Sequence, residues 1–411
     1  MRIMYLIDFG FDVPNGSSHL VIKIIDGFLS AGHSVYLVQS RSVGKFDSIP
    51  DVLKGRKNFK CEIVKKADIK RNNFIKRYLC GIKYELDAYR IWKHEIDSCD
   101  VIINHSHYTS PYTAFLLRKE YKKVVFNIYD IFPGEAYING SIKSKLIYKV
   151  LAGLESYVYK HSSLIFTLTK DTKNTLLSLG VPESKIVIIP NWFDEDVIHP
   201  VDNKNNSFVK KYNLNENKKY IQYAGSIGVS YDFDLILDVA QKLKYRKDIV
   251  FQIVGEGMFL EKMKERASEE HLDNVQFIPW QPAEMLSDVY SACTLQIVPL
   301  RSEVIRNSYP SKILPLMACG RIPIVSVEKN SYFYEEVNQN RFGVAIPSGD
   351  IKTVSETIIR FADDGSLRHE YEKRAFEYVN EHYSAKRNIH KMVDILMQYV
   401  NIGLKVEDNN D

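Results

Sequence analysis

Val298-Pro-Leu-Arg-Ser-Glu-Val-Ile-Arg-Asn-Ser-Tyr-Pro-Ser-Lys-Ile-Leu-Pro-Leu-Met-Ala-Cys-Gly320, followed by Arg321-Ile-Pro-Ile-Val-Ser326, reads as a strand, a basic loop, a helix and a second strand. The first strand covers 294–300. The loop, 301–309, carries Arg301, Glu303, Arg306 and Asn307. Pro310 suits the start of a helix, where a missing N–H costs nothing. Ser311 and Lys312 then fall in the first turn, where free N–H groups and the positive dipole end favour an anion. Gly320 ends the helix, and 322–327 is apolar again. The plainer alternative is an ordinary strand–helix–strand unit with a solvated Lys312.

Pro310-Ser-Lys312, with Met317-Ala-Cys-Gly-Arg-Ile-Pro-Ile-Val325, resembles the donor-site helix of glycosyltransferases with two facing Rossmann-like domains, the GT-B fold. The nearest resemblance is to the retaining family 4 type of capsule, exopolysaccharide and O-antigen pathways. It extends over nearly the whole chain. It implies an α/β fold and transfer of a sugar from a nucleoside-diphosphate sugar, UDP favoured, to a glycan or polyprenyl-linked acceptor. It further implies retention of anomeric configuration; we expect no metal and no cofactor. The chemical demand is a departing diphosphate, which a helix dipole and Lys312 can stabilise.

Composition agrees with a soluble enzyme. The 411 residues are 45% hydrophobic and 26% charged, enough for two cores. No apolar run reaches the roughly 18 residues of a membrane helix. Asp8 comes too early for a signal peptide's apolar region. The 5 cysteines (61, 80, 99, 293 and 319) show no CxxC spacing, which favours a reducing cytoplasm over disulfides or zinc. Net charge is +4, but residues 41–93 hold 15 Lys/Arg against 6 Asp/Glu. Within them, 74–92 mixes Phe, Tyr and Trp with cations at helical spacing. That suits a solvated helix face, an anionic membrane surface or nucleic acid. The family resemblance favours a peripheral membrane contact, and no nucleic-acid module surrounds the stretch.

The first half opens with a strand at 3–7 and a loop holding Asn15, Gly16 and Ser17 before a helix to Ser30. Its backbone suits an anion, and the resemblance puts it near the acceptor and the donor phosphates. A strand at 100–104 ends in His105-Ser-His107, a sugar-facing loop or, on thinner grounds, a metal pair. A strand at 124–128 ends in Tyr129-Asp130. The resembling family carries a His-Asp or Arg-Asp pair there beside the transferred sugar. The usual histidine is missing here, so Asp130 is the candidate carboxylate, and capping a turn is its alternative role.

Pro190-Asn-Trp-Phe-Asp194 resembles the family's interdomain segment. We expect an acceptor domain at 1–195, a nucleotide-sugar domain at 196–382, a final helix at about 383–402 returning to the first domain, and an acidic tail at 403–411. In the second half, Gly225-Ser226-Ile227-Gly228 follows a strand and precedes a helix. Backbone N–H groups of such a turn suit phosphate, and the resemblance assigns it the donor diphosphate. The cations it lacks are expected from Lys312, Arg301 or Arg306, with Ser311 beside them. Gly255 and Gly257 end the next strand and permit close approach of a ligand. The resemblance gives them, with Trp280 and Gln281, to base and ribose. The family's paired glutamates fall here on Asn307 and Pro315. Neither is acidic, so Glu303 is the candidate for the first role, and Pro315 is expected to break the helical ladder early.

Two other readings stay open. One is an epimerase or hydrolase acting on a nucleotide sugar. The other is a non-catalytic partner protein with the same fold, which the missing histidine and glutamates keep in view.

Overall fold

In a computed structural model of the chain, residues 1–11, 17–42, 49–67, 69, 74–138 and 140–407 are described. The chain divides into two compact units, Met1–Asn191 with Lys386–Asp411, and Trp192–Ala385.

The first unit holds seven strands: β1 Arg2–Leu6, β2 Ser34–Ser42, β3 Phe59–Lys66, β4 Val101–His105, β5 Val124–Asn127, β6 Leu164–Thr167 and β7 Ile186–Ile188. All pair in parallel, in the order β3-β2-β1-β4-β5-β6-β7. β4 and β5 are buried along their whole length. A parallel sheet covered on both faces demands such unbroken apolar strands. The sheet reverses direction of growth between β1 and β4, which opens a crevice at their C-terminal ends. β3 was not expected from the sequence. It is an edge strand, and its four charged residues (Lys60, Glu62, Lys65 and Lys66) hid its pairing with β2.

The last helix, Ala385–Glu407, belongs to this unit and runs further than its apolar pattern suggested. Its Ile389 presses on Gly27, where a Cβ would lie 2.3 Å from Ile389 Cγ2. The Tyr399 hydroxyl donates to the Lys122 carbonyl.

The second unit holds β8 Lys219–Ala224, β9 Ile249–Val254, β10 Val275–Ile278, β11 Leu295–Pro299, β12 Ile322–Val327 and β13 Val344–Pro347. Their order is β10-β9-β8-β11-β12-β13, again all parallel. Growth reverses between β8 and β11. Tyr223, Phe251, Ile253, Ile297 and Ile324 pack the sheet against Leu237 and Phe361. Both units are thus Rossmann-like.

Candidate functional site

In the second unit the groups of interest meet at the C-terminal ends of β8, β9 and β11. Two turns are pressed together there. The Gly225 amide donates to Val254 O (2.9 Å), and the Ile227 amide donates to Glu256 O (2.8 Å). Glycine is required on the facing side: a Cβ on Gly257 would lie 2.3 Å from Ile227 O, and Gly257 has φ +156. The loop after β11 joins the same cluster. Asp232 N donates to Pro299 O (2.8 Å), and Arg301 N donates to Ser230 O (3.1 Å).

Lys312 reaches into this cluster. Its Nζ is buried and has no hydrogen-bond partner. It lies 3.8 Å from the ring centroid of Tyr223 and 3.9 Å from that of Tyr231. Burial with no counter-charge pushes its ammonium well below the usual lysine value. A buried cation without an acceptor is costly, and such groups normally find a partner. A polyanion at the turn would supply it.

The helix behind Lys312 is shorter than expected. It spans only Ile313–Ala318, with Lys312 at its N-cap. Pro310 and Ser311 form a separate turn, because Ser311 N donates to Tyr309 O (2.8 Å) and Ile313 N to Pro310 O (3.1 Å). So little aligned backbone leaves the lysine charge, rather than a dipole, as the main attraction. Pro315 breaks nothing. It is the third residue of the helix, where its N–H would have had no partner anyway. The loop after β11 also contains an unexpected single turn, Val304–Asn307.

Other expected donor-site residues divide by what their groups already do. The Ile227 amide is spent on Glu256 and its side chain is fully buried, so Ser226 and Gly228 carry the turn's remaining amides. Arg301 Nε donates to Tyr231 O (3.1 Å), which holds its guanidinium beside the cluster. Glu303 has φ +67, pairs with Arg306 at 3.5 Å and receives the Asn307 amide on its carbonyl (3.0 Å). Gln281 has its side-chain amide engaged within the protein. Its Oε1 accepts from Lys211 (3.1 Å) and its Nε2 donates to the Tyr212 hydroxyl (2.9 Å), so its side chain is structural. Trp280 is exposed. Two Asp-x-Asp spacings occur, Asp194–Asp196 and Asp232–Asp234. Asp232 caps the helix Phe233–Lys242, and Asp234 pairs with Arg266 at 3.0 Å.

In the first unit a cavity of about 280 Å³ opens at the ends of β1, β4 and β5, lined by Phe9, His105, His107, Tyr129, Asp130 and Glu135. Ser17 borders it too. Asn15 and Gly16 lie outside the described residues.

The two histidines differ in kind. Burial, and then the charge of His107, push His105 down to about 3, so it is a neutral imidazole. Its ring stands edge-on to Tyr129 at 4.7 Å. For His107 burial opposes the charge, but the Glu85 and Asp8 carboxylates outweigh it and raise it to about 9. Its Nε2 meets Glu85 Oε1 at 2.6 Å and its Nδ1 meets His105 O at 2.7 Å. Both nitrogens are therefore occupied. His107 holds the loop, whereas His105 meets Asn127 Nδ2 through its Nδ1 at 3.4 Å and lines the cavity. Glu85 also accepts from Thr109 (2.9 Å) and Thr113 (2.5 Å). Asp8 pairs with Lys66 at 2.7 Å; burial raises its carboxyl, but Lys66 and the histidines hold it at about 2.

Sequence reasoning missed Glu85, the Asp8–Lys66 pair and the Tyr223–Tyr231 rings. Glu85 and Lys66 lie inside the basic stretch and Asp8 opens a loop, so none of the three reads as a buried partner. Tyr223 reads as part of a strand, and Tyr231 only as a neighbour of the Gly225–Gly228 turn.

Residues 14–197 match the family described as Glycosyltransferase Family 4, and residues 204–378 match Glycosyl transferases group 1. The probable glycosyltransferase WbjE of Pseudomonas aeruginosa is 23% identical over 231 residues, 56% of this chain and 57% of the relative. A protein assigned as the colanic acid biosynthesis glycosyl transferase WcaI of Escherichia coli (strain K12) is 24% identical over 176 residues, 43% of this chain and 42% of its own. The chain thus spans about half the length of the curated relatives it matches. Among solved structures, Anabaena Alr3699/HepE in complex with UDP and glucose superposes with a TM-score of 0.73 at 12% identity, over 97% of this chain and 100% of the other.

Proposed function

We propose that this chain, whose two halves match two glycosyltransferase family models and whose fold is that of the GT-B type, moves a sugar from a nucleoside-diphosphate sugar to a glycan or polyprenyl-linked acceptor in surface polysaccharide assembly. The observation that carries the proposal is the buried, unpartnered Lys312 Nζ beside the Gly225–Gly228 turn. Its charge, with the Ser226 and Gly228 amides and Arg301, suits a departing diphosphate. Uracil is the base we favour, since the HepE complex holds UDP and glucose. Polysaccharide assembly is favoured because WcaI is named for colanic acid. Retention of configuration is read from the family type, and independence from metal from Lys312 as the cation at the diphosphate.

The first-unit cavity is the proposed acceptor side. Neutral His105 and the Asp130 carboxylate there suit sugar hydroxyls. We further propose peripheral attachment to an anionic membrane at the cytoplasmic face, where a lipid-linked acceptor would lie. Two helices support it. Lys145–Lys160 exposes Leu146 (73%), Ile147 and Val150 (57%) beside Lys145 and Lys149, and Phe74–Trp92 exposes Ile75 and Leu79. Within the basic stretch, Lys60 pairs with Glu95 and Lys66 with Asp8, so these two cations are already engaged. Among the described residues no helix is long and apolar enough to cross a membrane.

The decisive experiment is calorimetric titration of the protein with UDP and GDP in EDTA, beside Lys312→Ala. Micromolar binding of UDP, lost in the variant, supports the donor site. No nucleotide bound by folded protein sinks the transferase reading in favour of a partner protein. Product analysis without acceptor separates an epimerase or hydrolase.

A further inference from the structure

We propose that Tyr223 and Tyr231 form a two-ring cage that positions the Lys312 ammonium, without neutralising it, for the diphosphate of the donor. The inference rests on the donor reading above. The ammonium sits within 4 Å of both ring centroids, at 3.8 and 3.9 Å. The rings stand 73° apart, at 5.4 Å between centroids, and make two walls of a corner. Gly225 is the third wall, where a Cβ would lie 2.9 Å from Nζ.

The chemistry of the walls matters. A carboxylate in this place would hold the lysine but cancel its charge. A ring face carries only the partial negative charge of its quadrupole, so it attracts the ammonium and leaves it able to serve a stronger anion. Each ring is also referenced to the turn. The Tyr223 hydroxyl donates to Ser226 O (2.6 Å) from a fully buried position on β8. Tyr231 N donates to Gly228 O (3.4 Å), its carbonyl accepts from Arg301 Nε (3.1 Å), and it bridges Leu300. The cage therefore fixes the ammonium relative to the very amides, Ser226 and Gly228, that the diphosphate would meet. Preorganisation of this kind lowers the cost of binding.

The test compares UDP affinity in the full-length protein carrying Tyr231→Phe, Tyr231→Met or Lys312→Ala. Tyr231 is half-buried, and Met matches it closely enough in size to fill the space. If the ring acts through its π face, Phe keeps affinity within about threefold of the parent, whereas Met weakens it roughly tenfold. If the side chain only packs, both substitutions behave alike, and the proposal falls. Unchanged or tighter binding by the Met variant also overturns it. A second series covers failure of the Met variant to fold. Phenylalanines of increasing fluorination at position 231 keep the shape and drain the ring face of negative charge. UDP affinity is expected to fall stepwise along the series, and a flat series overturns the cage. Lys312→Ala separates the two layers: retained UDP binding in that variant refutes the donor site itself, whereas loss there with a flat fluorination series refutes the cage alone.

Discussion

Gly255 stands so close to Gly225 that a Cβ on it would lie 2.0 Å from the Gly225 carbonyl oxygen. The contact is backbone against backbone, so no side chain can yield to relieve it. Gly255 also has φ +146, where an L-residue is strained. Gly255→Ala is therefore expected to displace the Gly225–Gly228 turn and cost about 1–3 kcal/mol of stability. Thermal unfolding would register the loss, and UDP titration should show weakened binding even where the variant remains folded. Wild-type affinity in this variant would mean that the turn does not meet the nucleotide.

Donor binding should take up protons. The Lys312 ammonium is pushed down by burial, so the neutral form is favoured in the free protein above its lowered value. A bound diphosphate favours the charged form and raises that value again. Between the two values, affinity is expected to fall as pH rises. Calorimetry in two buffers of different ionisation enthalpy would count the protons. No uptake in any pH window contradicts this account of the site.

The paired histidines predict a stability optimum near the ordinary histidine value. His107 is raised from 6.5 to about 9, so its contribution is complete below 6.5 and is lost as pH rises through 9. His105 is lowered from 6.5 to about 3, so the unfolded chain binds a proton that the folded one refuses, and stability falls as pH drops below 6.5 toward 3. Melting temperature should therefore decline on both sides. His107→Gln should flatten the alkaline limb and only shorten the acid limb, because burial still lowers His105 once the His107 charge is gone.

His105→Ala and Asp130→Asn are expected to lower turnover by roughly 100-fold if each group meets reacting sugar hydroxyls. UDP affinity should stay unchanged in both, since neither residue belongs to the unit that carries Lys312. Loss of UDP affinity in either variant would count against the assignment of the cavity to the acceptor.

Leu146→Glu with Val150→Glu should abolish sedimentation with vesicles containing anionic lipid. Both side chains are exposed, so melting temperature should hardly change. Equal sedimentation of parent and variant would remove this helix from any membrane contact.

Much was legible along the chain. Apolar strands alternating with amphipathic helices specified two parallel α/β units, because strands buried on both faces cannot alternate with polar residues. The Gly225–Gly228 turn and Tyr129-Asp130 marked two strand ends, and Pro310-Ser-Lys312 marked the start of the helix after β11. What the sequence by itself determined was therefore the class of fold and the strand ends that carry chemistry, since both follow from local periodicity. It could not tell which amides were already spent. Ile227, Ser311 and Gln281 looked available until their partners, Glu256, Tyr309 and Tyr212, were in place. Nor could it separate His105 from His107, because their opposite protonation depends on Glu85, far away in the chain. Only the tertiary structure decided that Lys312 has two aromatic faces and no hydrogen-bond partner. Burial and electrostatics are set by neighbours that folding brings together, and a linear pattern does not record them.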